Sequence, residues 1–198
     1  MNFETKAVRT ILLALVVSIA DHTLADSMAT DDLTIMPGSS IAGVSLGPNG
    51  LQELKRLGKP YRIDRGMSQT RQAWKWSRPE GRLDTFFVHT VNNGTIDAKP
   101  ADGVTIDLIR STVARFKTSG GVGVATTLDQ IRKSFPDVAP VDGIPTIFDD
   151  VKRGIAFEFS AAPIGHSICI AVTVHPPGQS KLATQDQVAD VLERGSKE

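Results

Sequence analysis

The chain has 198 residues, 22 Lys+Arg against 22 Asp+Glu, 40% hydrophobic residues and one cysteine. That composition belongs to an ordinary folded domain and excludes a disordered, collagenous or disulfide-stapled chain. A formal charge of zero removes the bulk attraction that a nucleic-acid or acidic-membrane binder uses.

The chain opens with an address label. Lys6 and Arg9 precede an apolar run from Ile11 to Ala20, and small residues follow at Thr23 and Ala25. This order describes a secretory signal peptide over residues 1–25, cut before Asp26 or, using Ser18 and Ala20, after Ala20. The run is shorter than the roughly 20 apolar residues of a membrane span, so no stable membrane insertion is expected after cleavage. Glu4 and Asp21 balance Lys6 and Arg9, and the remaining chain stays neutral. Cys169 is the only cysteine, so neither an intramolecular disulfide nor an N-terminal lipidation site is expected. An export signal without disulfides suits a bacterial periplasm or secretion. Residues 26–40 read as a loose N-terminal segment.

The remainder reads as one unit written twice, over residues 41–118 and 119–178. Gly43-Val44-Ser45-Leu46 and Gly121-Val122-Gly123-Val124 each run into a polar cap and an amphipathic helix. Leu51, Leu54 and Leu57 form one helix face, and Leu128, Ile131 and Phe135 form the other. Asn49 and Thr126 or Thr127 are the expected N-caps, and Gly58 and Pro136 the stops. Each helix precedes strand-like sequence. In the first unit these are residues 71–77, residues 83–91 with a turn at Asn93-Gly94, and the alternating Val104, Ile106 and Leu108. In the second they are residues 144–148, 155–159 and 168–175. Ile168, Ile170, Val172 and Val174 oppose Cys169, Ala171, Thr173 and His175 there. Helix followed by adjacent strands predicts an α+β fold, two tandem units of short helix plus antiparallel sheet, with helices on one face of the sheet. Residues 179–198 form a tail in which Thr184 and Gln187 can cap a short helix ending near Arg194.

Gly43-x-x-Leu46-Gly47, a helix, Leu57-Gly58-x-Pro60 and Trp74-x-Trp76 together resemble the SmpA/OmlA domain of outer-membrane assembly lipoproteins. The tandem arrangement, with a period near 77 residues, is similar to the β-lactamase inhibitory protein family. That resemblance implies a helix-plus-sheet scaffold with one long concave surface. Within it Leu57, Gly58, Pro60 and Trp74 look structural.

Chemistry-bearing residues are sparse. Gly43-Val44-Ser45-Leu46-Gly47 matches the pattern of a nucleophile elbow, but Pro48, Asn49 and Gly50 intervene before the helix, and its twin carries Gly123 in place of Ser45. A small secreted serine hydrolase using Ser45 is the alternative reading. His89, His166 and His175 offer no converging ligand set, and neither a metal nor a cofactor is expected. Asp149-Asp150 reads as a solvated turn, and Cys169 as a small buried hydrophobe. The residues that look most like an interface anchor are Trp74 and Trp76 on one strand face, with Tyr61 upstream and Arg71 and Arg78 flanking. Core burial of at least one tryptophan is the competing reading. The sequence therefore predicts a non-enzymatic, extracytoplasmic protein-binding module whose partner is an envelope or extracellular protein and not a nucleic acid.

Overall fold

The structure is a computed structural model and describes residues 33–66, 68–77, 81, 83–92, 103–160 and 167–194. The signal-like segment, Arg78, the Asn93-Gly94 turn and His166 lie outside the described residues. Three short strands, β1 (Ile35–Met36), β2 (Ser40–Ile41) and β3 (Val44–Ser45), form a small antiparallel sheet. Residues 33–40 are thus not loose. Ile35 and Ile41 are buried, and the Ile35 N–H donates to the Lys117 carbonyl, which ties this segment into the main core.

Helix α1 (Gly50–Glu53) passes directly into a 3₁₀ turn (Leu54–Leu57). Asn49 does not cap it. Its own backbone is already helical, no side-chain cap bond forms, and Leu51 and Gln52 instead donate three residues back to Pro48 and Asn49. Gly50 is required by contact, because a Cβ there would lie 1.9 Å from the Ser45 carbonyl oxygen. Gly58 ends the turn at φ 72°, a conformation open to glycine. Helix α2 (Leu128–Ser134) starts with a full capping box. Thr127 accepts from the Gln130 N–H, and the Gln130 side chain accepts from the Thr127 N–H.

Eight strands form the main sheet: β4 (Arg62–Arg65), β5 (Gln69–Ser77), β6 (Leu83–Asn92), β7 (Val104–Ser111), β8 (Ala139–Val141), β9 (Ile144–Asp150), β10 (Ile155–Phe159) and β11 (Cys169–Val174). Their order is β4-β5-β6-β7-β11-β10-β9-β8, with every pair antiparallel. Two meanders therefore meet at a seam where Val172, Thr173 and Val174 pair with Ser111, Arg110 and Ile109. The fold is mixed and α+β-like.

Strand alternation sends neighbouring residues to opposite faces. One face carries Trp74, Phe86, Val88, Ile109, Phe148, Ile155, Phe157 and Val172, clustered with Leu54 and Leu57 and with Leu128, Ile131 and Phe135 of α2. Edge-to-face and tilted ring pairs, Trp74 with Phe86 and Phe135 with Phe157, lie within this core. The other face carries Ala73, Phe87 and Leu108, and it is met by a third helix, α3 (Gln185–Arg194), through Val188 and Val191. Helices thus lie on both faces of the sheet, not on one. The tail folds because Thr184 and Gln187 cap each other reciprocally and because Val188, Val191 and Leu192 share one side.

The alternation read from residues 168–175 fails at its start. A register shift between Glu158 and Phe159 turns Cys169 into the core and leaves Ile168 45% exposed. A bulge reverses which side chain faces inward.

Candidate functional site

The expected aromatic anchor divides between the two faces. Trp74 is a core residue: it is 3% exposed, its Nε1 donates to the Gly58 carbonyl at 3.0 Å, and it packs edge-on to Phe86. Trp76 is half-buried and packs against the same cluster. Tyr61 is exposed and lies between two cations, Arg62 and Lys75, at 4.7 and 4.8 Å from its ring centre. Arg71 projects from the opposite face and pairs with Asp64 at 3.3 Å. The residues grouped by sequence proximity are therefore not one patch, because successive strand positions point in opposite directions.

Ser45 lies in β3, and its hydroxyl donates to Glu53 at 3.4 Å while its N–H donates to the same carboxylate at 2.6 Å. Its φ is not positive; Gly43 and Gly47 on either side of it take that conformation instead. The segment closes a small sheet onto β7, where Gly47 and Ile106 exchange backbone hydrogen bonds. Cys169 is buried, and burial pushes its thiol up to about 12. At that value it stays protonated at neutral pH. Nearby, burial lowers the Lys117 ammonium from its ordinary value; the Lys117 amine donates to the Val124 carbonyl.

The polar residues that do converge lie on the sheet face beneath residues 176–194. Two aspartate–histidine pairs stand there. His89 Nδ1 is 2.6 Å from Asp107 Oδ1, and His175 Nε2 is 3.0 Å from Asp149 Oδ1. The second oxygen of each carboxylate holds one of two consecutive residues of the crossing segment. Ser180 Oγ donates to Asp149 at 2.7 Å and Lys181 Nζ to Asp107 at 2.8 Å. Burial pushes the Asp107 carboxyl up, but the hydrogen bonds and charges of His89 and Lys181 outweigh it and leave the group below its ordinary value.

Between these pairs sits Arg110, fully buried on β7. Its Nη2 donates to Glu158 at 2.7 Å and to Gln185 at 2.9 Å, while Nε and Nη1 are buried without a hydrogen bond. Two cavities flank the crossing. One of about 360 Å³ is lined by Arg71, Phe87, His89, Asp107, Leu108 and Lys181, among others. The second, of about 350 Å³, lies by Glu158, Phe159, Thr184 and Gln185.

The sequence gives His89 no nearby partner, sets His175 only against His166, and reads Asp149-Asp150 as a solvated turn. Both acids are in fact buried. Asp149 takes its place beside His175, and Asp150 accepts from the Arg153 N–H in the turn that follows β9. No local motif signals these pairs. His175 and Asp149 are separated by 26 residues and meet only through the β9-β10-β11 register. Among the described residues, no group of three or more His, Cys, Asp or Glu could hold a metal ion, and no helix is long and apolar enough to cross a membrane. Comparison with protein-family models, with curated proteins and with solved structures finds no match for the chain.

Proposed function

We propose that the chain is a non-enzymatic, secreted or periplasmic protein-binding module of the bacterial cell envelope, built from two tandem helix-plus-sheet units. The resemblance to the SmpA/OmlA domain and to the β-lactamase inhibitory protein family belongs to this reading. The duplication is supported by matched positive-φ positions 78 residues apart. Gly43 and Gly121 both have positive φ, and so do Gly47 and Ala125. The matched segments also make matched bonds. Gly47 exchanges hydrogen bonds with Ile106 of β7, the last strand of its meander; Ala125 and Thr126 do so with Cys169 of β11, the last strand of theirs. Export rests on the charge, apolar run and small residues of positions 1–25.

The observation that carries the binding reading is the contrast in residue type across the sheet. Among the described residues, the face beneath residues 176–194 is lined with arginine, histidine and carboxylates, side chains that a permanent core rarely buries. A photo-crosslinking residue placed at Lys75, on the open part of this face, is expected to capture one envelope protein in living cells. The same residue at Ser134, on the opposite side of the molecule, is expected to capture none. Equal capture from both positions, or capture from neither, overturns the reading. Separately, N-terminal sequencing of the exported chain is expected to begin at Asp26 or Asp21.

A further inference from the structure

We infer that residues 176–194 form a proton-held strap across the polar face of the sheet, closed while the His175 ring carries an N–H on both nitrogens and released as rising pH removes one. The inference goes beyond the protein-binding reading and stands apart from it, since its readout needs no partner.

Both nitrogens of the His175 ring face oxygens. Nδ1 lies 3.0 Å from the Pro176 carbonyl oxygen, and Nε2 lies 3.0 Å from Asp149 Oδ1. A carbonyl and a carboxylate only accept, so each contact needs an N–H from the ring. A neutral imidazole has one N–H and the imidazolium has two. The ring is fully buried and the Asp149 side chain nearly so, which keeps water from supplying the missing donor. The second Asp149 oxygen accepts as well, from Ser180 at 2.7 Å.

The other charged or titratable groups packed on this face are His89 of β6, Asp107 and Arg110 of β7, Glu158 of β10 and Lys181 of the strap. They bond one another, and Asp150 and Arg153 pair in the adjoining β9–β10 turn. Among the described residues, Asp149 is the one charged group bonded to His175.

The ring sits where the strap is fastened. Two glycines seat Pro177: a Cβ on Gly38 would lie 2.7 Å from the Pro177 ring, and one on Gly154 would lie 3.1 Å from its nitrogen. The His175 N–H also donates to the Gly154 carbonyl. This root is packed too closely to shift, so a ring that loses a proton keeps its N–H toward Pro176. The lone pair left on Nε2 then points at a buried carboxylate, two acceptors with no hydrogen between them. Turning Asp149 away relieves that contact and releases Ser180, the neighbour of Lys181 on Asp107.

The closed strap holds one proton more than the open one above the ordinary histidine value of about 6.5. Rising pH therefore favours opening, by ~10-fold per pH unit for one linked proton. Titration of the carboxylates has the opposite sign and acts in acid.

The test follows amide exchange of the full chain, with protection taken relative to the unstructured rate at each pH, together with nitrogen NMR of isotope-labelled histidine. The His175 ring, assigned by its loss in His175→Gln and its change in Asp149→Asn, is expected to show two protonated nitrogens at neutral pH. Protection of α3 amides is expected to fall ~10-fold per pH unit above about 6.5, while the amides of β6 hold theirs. Asp149→Asn is expected to abolish that slope and keep the strap closed, because an amide can donate to a neutral Nε2 and still accept from Ser180. A carboxylate with a purely structural part would instead take the strap's protection with it. Lys181→Met is expected to lower α3 protection throughout and leave the slope unchanged.

A single ring N–H on His175 in the closed chain overturns the inference, as does a flat profile for the wild-type chain. So does a wild-type slope in Asp149→Asn, loss of the slope in Lys181→Met, or parallel loss of protection at β6. Should His175→Gln fail to fold, the isosteric Asp149→Asn carries the test.

Discussion

The two faces of the eight-stranded sheet are built from the same strands and by different rules. One buries Phe86, Phe157, Ile109, Ile155 and Val172 under α1 and α2, with aromatic rings packed edge-on and tilted against one another. The other buries Arg110, Asp107, Asp149 and His175, with the half-buried Glu158 beside Arg110, under the segment of residues 176–194. Apolar burial at about 25 cal/mol per Å² makes the first face the source of stability. Charge burial needs a partner for every group and gives at best a small net gain, so the second face contributes specificity of contact. A sheet can afford this asymmetry because one register positions both sets of side chains.

Substitutions at Phe157, at the Arg110–Glu158 pair and at Asp107 sharpen the comparison. The largest effect is expected on the aromatic face. Phe157→Ala, which removes a fully buried ring beside Phe135, should cost about 3–5 kcal/mol in denaturant unfolding. A cost under about 1 kcal/mol there would mean that the aromatic face does not carry the fold.

On the polar face, Glu158→Ala should cost about 3 kcal/mol, because it leaves Arg110 charged and buried without its carboxylate. The double change Arg110→Met with Glu158→Leu should be near neutral in the same unfolding experiment. A double variant as damaged as the single one would show that the ion pair is worth more than its replacement by apolar contact.

The smallest effect is expected at Asp107. Its carboxyl lies below the ordinary value when folded, so its contribution is fully present above the unfolded value of about 3.9. That contribution is lost as pH falls through the lower folded value. The protection of α3 amides, taken relative to the unstructured exchange rate at the same pH, should therefore fall in acid for the wild-type chain. For Asp107→Asn that protection should already be low at neutral pH and change little below it.

What the sequence disclosed follows the range of the interaction involved. Thr127 and Gln130 lie within one turn, so the start of α2 is legible from four residues. The spacing of Leu128, Ile131 and Phe135 likewise names the buried side of that helix, and all three are in the core. Trp74 and Trp76 share a strand face as alternation requires, yet alternation alone does not say that this face is the inner one. That depends on which side receives α1 and α2.

The polar face was the least legible part. His89 finds Asp107 across a bulge between His89 and Thr90, and Arg110 finds Glu158 across the β7–β11–β10 register. Lys181 reaches Asp107 from 74 residues away. None of these partners can be named before the strand order is known. Two-residue strands such as β1 and β2 are also hidden, since two residues are too few to show an alternation.

The seam between β7 and β11 has a consequence for the newly made chain. Val104–Ser111 is complete well before Cys169–Val174 emerges, so for that interval its outer row of amide and carbonyl groups stands open beside Ile106, Ile109 and Val88. An apolar strand with an unclaimed border is a template for pairing with any neighbouring chain. Synthesis or refolding at high concentration should therefore favour side-by-side aggregation until the second meander arrives, and a holding chaperone that masks this border should raise the yield of folded monomer.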